Sequence, residues 1–247
     1  MFMKNISFIL IVSLIVGCSD QSTISITKFE GSPEFSNSGL PEYQWSIDKE
    51  EEATRRYNFS FNVENYELGL QTEGAIENGL ANSAKGQHIH MIVNNGPYSA
   101  HYTSDFSKEL EQGNNLILFF LSRSFHESVK NPNAFSLMQI PSGPEDYEPY
   151  DLESEFLFYS RPKGVYEGDD IKKLLFDFYL VNTEISAEGN KVRATINDSE
   201  FMIDEWAPYY IEGLSIGEVT IKLELLDSNG ELIDSPFNPV VRKVTLK

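Results

Sequence analysis

Four histidines occur in the 247-residue chain, and His88, His90 and His101 fall within fourteen residues of one another in GQHIHMIVNNGPYSAHYTSDF (86–106). Imidazole can ligate a transition metal as a neutral base or hold an anion as a cation. A His-X-His pair on a strand places both rings on one face, because side chains alternate. A third ring from the neighbouring strand would complete three ligands and leave an open position, the donor set of a Zn²⁺ or Cu²⁺ site. The fourth histidine, His126, follows in LSRSFHESVK (121–130) beside Arg123. A guanidinium next to protonated imidazoles suits a carboxylate or phosphate. The residues therefore offer two chemistries: His88, His90 and His101 for Zn or Cu, and His88, His90, His101, Arg123 and His126 for an anionic ligand or peptide. A third use is structural, with the rings hydrogen-bonded beneath EFLFYSRPKGVY (155–166).

The element that must position these rings is a hairpin turning at Asn94-Asn95-Gly96-Pro97. A loop of two or four residues there sets Val93 opposite Tyr98, Met91 opposite Ala100 and His90 opposite His101. Ile89, Met91, Val93, Tyr98, Ala100 and Tyr102 then form an apolar core face, and the three histidines share the other. The next strand adds Leu116, Leu118 and Phe120 to that outer face. Such a face is covered by the chain itself or open to a partner.

The chain repeats itself. FSFNVENYELG (59–69) matches FDFYLVNTEIS (176–186), GQHIHMIVNNGPYSAHY (86–102) matches GNKVRATINDSEFMIDE (189–205), and LEQGNNLILFFLS (110–122) matches LSIGEVTIKLELL (214–226). A proline-bearing strand start recurs in KFEGSPEF (28–35) and LFYSRPKG (157–164). Apolar residues alternate between turn-forming clusters, and no segment holds a helical period. The fold class expected is all-β, two tandem immunoglobulin-like antiparallel β-sandwiches over 24–140 and 154–247. Residues 141–153, PSGPEDYEPYDLE, read as a linker, and 36–56 as a long polar connection, partly helical at its end. In the second copy His88 and His90 become Lys191 and Arg193, and His101 becomes Asp204, giving an Arg193–Asp204 pair. Leu116, Leu118 and Phe120 become Thr220, Lys222 and Glu224, an ordinary wet surface.

At the N-terminus, MFMKNISFILIVSLIVGC carries one lysine and then an apolar run of Ile6–Val16. That run is too short to span a bilayer, which needs about 20 residues, and it reads as a signal peptide over 1–17. Its end, Ile15-Val16-Gly17-Cys18, resembles the lipobox of bacterial lipoproteins, which implies cleavage before Cys18 and acylation of that residue. Cys18 is the only cysteine, so disulfides and thiol chemistry are excluded from the mature protein. The remaining 230 residues carry a formal charge of −20, one lysine having left with the peptide. Such a charge excludes nucleic acid and electrostatic binding to anionic lipid. The expected location is the cell envelope, anchored through the lipid to a membrane, the outer one favoured, with a periplasmic or surface face.

Other constellations are weaker. Trp206, Tyr209 and Tyr210 could stack on a sugar. No nucleophile elbow, phosphate loop, zinc-protease or dinucleotide motif is present, and the expectation is a binding protein rather than an enzyme. HIHMIVNNGPYSAHY, LSRSFHESVK, FYSRPKGVY, FYLVNTEIS, KVRATINDSEFMI and LELLDSNGELI resemble a family of Gram-negative envelope lipoproteins sometimes described as phosphopeptide-binding proteins. That resemblance implies binding through Arg123, His88, His90, His101 and His126, with Arg161 joining if its segment folds over the histidine face. The alternative functions are a structural accessory of an envelope assembly with no small ligand, and a Zn or Cu binding protein.

Overall fold

The computed structural model describes residues 23–29, 37–50, 54–143 and 146–247. The signal peptide, Cys18 and most of the proline-bearing start at 30–35 lie outside these residues.

Among them the chain is almost wholly β. Strands β2 (Gly39–Glu50), β3 (Thr54–Glu64) and β6 (Asp105–Glu111) form one sheet in the order β2-β3-β6. Strands β4 (His88–Val93), β5 (Ser99–His101), β7 (Gly113–Ser122) and β8 (Phe135–Ser142) form the facing sheet, ordered β5-β4-β7-β8. Tyr57, Phe59 and Phe61 of one sheet and Ile89, Met91, Ile117, Phe119 and Leu121 of the other fill the space between them. This is the first sandwich.

The second repeats the plan. Strands β9 (Phe156–Arg161), β11 (Leu174–Val181) and β14 (Tyr209–Glu212) oppose β10 (Gly164–Tyr166), β12 (Lys191–Ile196), β13 (Ser199–Ile203), β15 (Gly217–Leu226) and β16 (Val240–Leu246). The three sequence repeats fall on equivalent strands: β3 with β11, β4–β5 with β12–β13, and β7 with β15. Both sandwiches therefore have the immunoglobulin-like architecture expected from the alternation.

Two boundaries differ from the expectation. Strand β1 (Ser25–Lys28) pairs antiparallel with β14, so the start of the described chain belongs to the second sandwich, not to a first module beginning at residue 24. Residues 39–50, within the stretch expected as a polar connection, form an edge strand, and 54–56, at its expected helical end, begin β3. Tyr43, Trp45 and Ile47 alternate there with polar residues and oppose Phe61, Phe59 and Tyr57. This period-two pattern is what an edge strand with one apolar face requires.

The sandwiches meet face to face. Phe156, Phe158, Tyr179 and Val181 on the outer face of β9 and β11 pack against Ile92, Leu116, Leu118 and Phe120 on the outer face of β4 and β7. Burial on both faces explains why β7, β9 and β11 read as continuous apolar runs, a pattern strands adopt when neither side meets water. The insertion at 70–85 reinforces the contact, since Ala75 and Leu80 pack with Phe125 and Leu175, and Lys173 Nζ donates to Asn78 O at 2.9 Å.

Candidate functional site: a histidine trio in the joint

The outer face of the first sandwich carries the histidines where it meets the second. His88 and His90 project from β4 and are fully buried. Their Nε2 atoms lie 2.8 Å apart. The third ring is His126, whose Nδ1 lies 3.2 Å from His88 Nε2 and 3.4 Å from the Tyr98 hydroxyl. One ligand atom from each of His88, His90 and His126 falls within 4.8 Å of the others.

His101 is not among them, which corrects the expected ligand set. In the ladder Ile89 opposes His101, His90 opposes Ala100 and Met91 opposes Ser99. The pairing is one residue out from the expected register, and a one-residue slip moves every side chain to the other face. The turn causes the slip. Asn94 and Asn95 both adopt positive φ, and Gly96 N–H donates to Val93 O at 2.8 Å. Pro97 then has no N–H to give the ladder, and pairing resumes with one extra residue on the β5 side. His101 instead stacks on Phe106 with ring centroids 3.6 Å apart and lies 2.9 Å from Ser99 Oγ.

The second hairpin also differs from the expectation. It turns on Asn197-Asp198, and Arg193 opposes Met202 rather than Asp204. The Arg193 guanidinium donates to Glu224 on β15 at 2.8 Å. This slip is of two residues, so the outward face is kept.

Each ring of the trio has its own support. Gly86 takes φ +84°, and a Cβ there would lie 2.3 Å from Gly69 O, so only glycine fits. Its carbonyl accepts a hydrogen bond from His88 Nδ1–H at 2.8 Å, which fixes the proton on Nδ1 and turns the Nε2 lone pair toward the other two rings. Tyr98 stacks on His90 with centroids 3.7 Å apart. His126 sits in a tight turn in which Arg123 N–H donates to Glu127 O and His126 N–H to Arg123 O, each at 2.9 Å.

Burial lowers the basicity of all three rings. It takes His88 down to about 4, and it holds His90 and His126 far below the usual imidazole range. The Arg161 guanidinium, brought in by β9, lowers each of them further. Arg161 donates to the Tyr166 hydroxyl at 2.9 Å and lies 5.2 Å from the Tyr98 ring centre. Lys163 Nζ sits 4.1 Å over that ring and donates to Tyr98 O at 2.6 Å. Of the expected anion group, Arg123 turns elsewhere, with its Nε 3.1 Å from the Glu127 carboxylate. Arg161 is the arginine that reaches the trio.

Two locks on the joint were not foreseen. Asn95 extends its amide like a strand end, donating to Leu157 O at 2.8 Å and accepting from Tyr159 N–H at 2.9 Å. Asp177, fully buried on β11, accepts from Ser128 and pairs with Lys130 Nζ at 2.5 Å. An aspartate interrupting LLFDFYLV was the available signal for that lock. The aromatic platform does not form: Trp206 donates to Phe178 O at 3.0 Å and caps the joint beside Tyr179. Tyr209 and Tyr210 are successive residues of β14 and so point to opposite faces.

No protein-family model matches the chain, and no curated protein matches it. Among solved structures it is similar to the fibronectin(III)-like modules of Clostridium thermocellum CbhA, at 10% identity and a TM-score of 0.30, over 83% of this chain and 94% of that one.

Proposed function

We propose that the chain is a lipid-anchored, non-catalytic envelope protein whose two sandwiches act as one rigid spacer or docking piece in an envelope assembly. The observation that carries this reading is the closure of the histidine face. Phe156, Phe158, Tyr179 and Val181 cover Ile92, Leu118 and Phe120 beside the rings, and His88 and His90 have no accessible surface. A peptide or phosphate-bearing partner meets only the half-buried His126, and laying His88 and His90 bare to it requires separating the sandwiches. That separation would expose a large apolar surface, at roughly 25 cal/mol per Å². The acidic surface and the Cys18 anchor fit a protein held at a membrane by its lipid and by protein contacts.

The phosphopeptide-binding role implied by family resemblance makes the opposite demand, an open face. Titrating inorganic phosphate and a phosphoserine peptide into the protein, followed by the histidine ring resonances, separates the two. The rigid-spacer reading expects no shift at His88 or His90 at millimolar ligand. A saturable shift that is lost in Arg161→Ala would overturn it.

A further inference from the structure

The duplication supplies an internal control for the histidine trio. The turn that carries His126 recurs in the second sandwich, hydrogen bond for hydrogen bond. Arg123 N–H to Glu127 O at 2.9 Å corresponds to Asp227 N–H to Glu231 O at 2.8 Å. His126 N–H to Arg123 O at 2.9 Å corresponds to Gly230 N–H to Asp227 O at 3.0 Å. The bridges Ser122–Ser128 and Leu226–Leu232 close the two turns alike. The residue at the shared position has φ +73° in the first copy and +83° in the second. In the second copy it is Gly230, the residue this backbone favours. In the first it is a histidine, held in the left-handed region against its preference and with its ring brought to His88. The other two positions follow the same contrast. His88 and His90 stand where the second copy has Lys191 and Arg193, whose side chains lie on the outer face.

The lone pairs decide what such a trio is for. With its proton held on Nδ1 by Gly86 O, His88 presents only a lone pair at Nε2. Two ring nitrogens, at 2.8 and 3.2 Å, compete for that one acceptor. An anion placed there would meet the His88 lone pair and be repelled. A cation at the centre would instead take a lone pair from each ring, and a carbonyl behind the ligating imidazole is the usual outer partner of a metal-bound histidine. The 2.8 and 3.2 Å separations from His88 are near the spacing an ion needs, since nitrogens about 2.0–2.1 Å from a tetrahedral ion lie about 3.3 Å from one another, and the His90–His126 pair lies within 4.8 Å.

We infer that His88, His90 and His126 form a three-nitrogen site for a copper or zinc ion, with the Tyr98 hydroxyl next to it. The donors are neutral, and none of the three ligands is a carboxylate. Arg161 and Lys163 stand beyond Tyr98 as positive charges that penalise a dication twice as heavily as a monocation. That charge pattern ranks monovalent copper above divalent zinc. Imidazole accepts both ions, so the ranking comes from charge and not from ligand type.

The test uses the purified protein and His126→Gly, which installs the residue found in the equivalent turn and so leaves the backbone unstrained. Copper(I) is titrated without oxygen against a chromophoric chelator, and Zn²⁺ is titrated by calorimetry. The expected result is one-to-one copper(I) binding weakened at least 100-fold in His126→Gly and unchanged in His101→Ala, with zinc bound less tightly. Zinc binding tighter than copper(I), with the same dependence on His126, would overturn the ranking and support the site. Equal affinities in the protein and His126→Gly, or no competition with the chelator by either, would overturn the site. Circular dichroism of the metal-free variant guards the reading, because the glycine is expected to leave the thermal midpoint unchanged or raised.

Discussion

The β4–β7 sheet of the first sandwich and the β12–β15 sheet of the second are the same structure put to opposite uses. The antiparallel order β5-β4-β7-β8 matches β13-β12-β15-β16, to which β10 adds in parallel, and the turn asparagines are shared: Leu116 N–H donates to Asn94 Oδ1 and Thr220 N–H to Asn197 Oδ1, at 2.8 and 3.0 Å. What differs is the outer face. On β12 and β15 it carries a buried Glu224 paired with Arg193 and Lys222, both of which keep contact with solvent. On β4 and β7 it carries His88, His90, Leu116, Leu118 and Phe120 beneath the second sandwich. The inner faces kept their apolar residues in both copies, so the fold survived while one outer face became a joint. A sheet thus tolerates complete replacement of one face as long as the new face is covered or wet as its chemistry requires.

The comparison can be broken at matched positions. Phe120 and Glu224 occupy equivalent sites, opposite His90 and Arg193. Truncating Phe120 to alanine should cost about 3–5 kcal/mol in denaturant unfolding, as for a buried aromatic. Glu224→Ala should cost about 1 kcal/mol, because its partners remain near water. Equal costs would mean that the face is not buried in solution.

Asp177→Ala removes the buried carboxylate from Lys130 and Ser128, and should destabilise by about 3 kcal/mol. The same experiment should show the two sandwiches unfolding in separate transitions once this lock is gone. A single transition of undiminished midpoint would contradict the role given to it.

Between pH 7 and 5 acid should act chiefly on the first sandwich, because all four histidines lie there. His88 titrates near 6.5 when unfolded and at about 4 when folded. Between those values the unfolded chain binds more protons, so stability is full above pH 6.5 and falls as the pH drops toward 4. For His88 alone the loss from pH 7 to pH 5 is about 2 kcal/mol. Hydrogen exchange at the two pH values should reveal it in β4 and β7 but not in β12 and β15. Uniform acceleration would argue against buried neutral rings.

The smallest effect sharpens the comparison most finely. Gly230→His places a side chain at φ +83° with no partner rings and should cost about 1 kcal/mol. A gain in stability there would remove the argument that the turn favours glycine.

Much of this contrast was legible in the sequence. Alternation gave the strands, three aligned blocks gave the duplication, and the change from Thr220, Lys222 and Glu224 to Leu116, Leu118 and Phe120 marked a face that needed a cover. The register of β5 was not legible, because it depends on how one residue is absorbed after two left-handed asparagines and a proline. That single residue turns His101 to the inner face, where it is half-buried against Phe106, and leaves the third place to His126. Extending the last repeat by five residues would have set RSFHE (123–127) beside DSNGE (227–231) and exposed the histidine-for-glycine exchange. Asn95 and Asp177 act across the joint, and no periodicity within one module reports on a contact between two.

The closure of the histidine face is most directly tested by diethyl pyrocarbonate modification read by peptide mass spectrometry. The account predicts that His88 and His90 stay unmodified under conditions that saturate a free imidazole, and that both react once Phe158→Asp opens the joint. Rapid modification of His88 and His90 in the unaltered protein would contradict it.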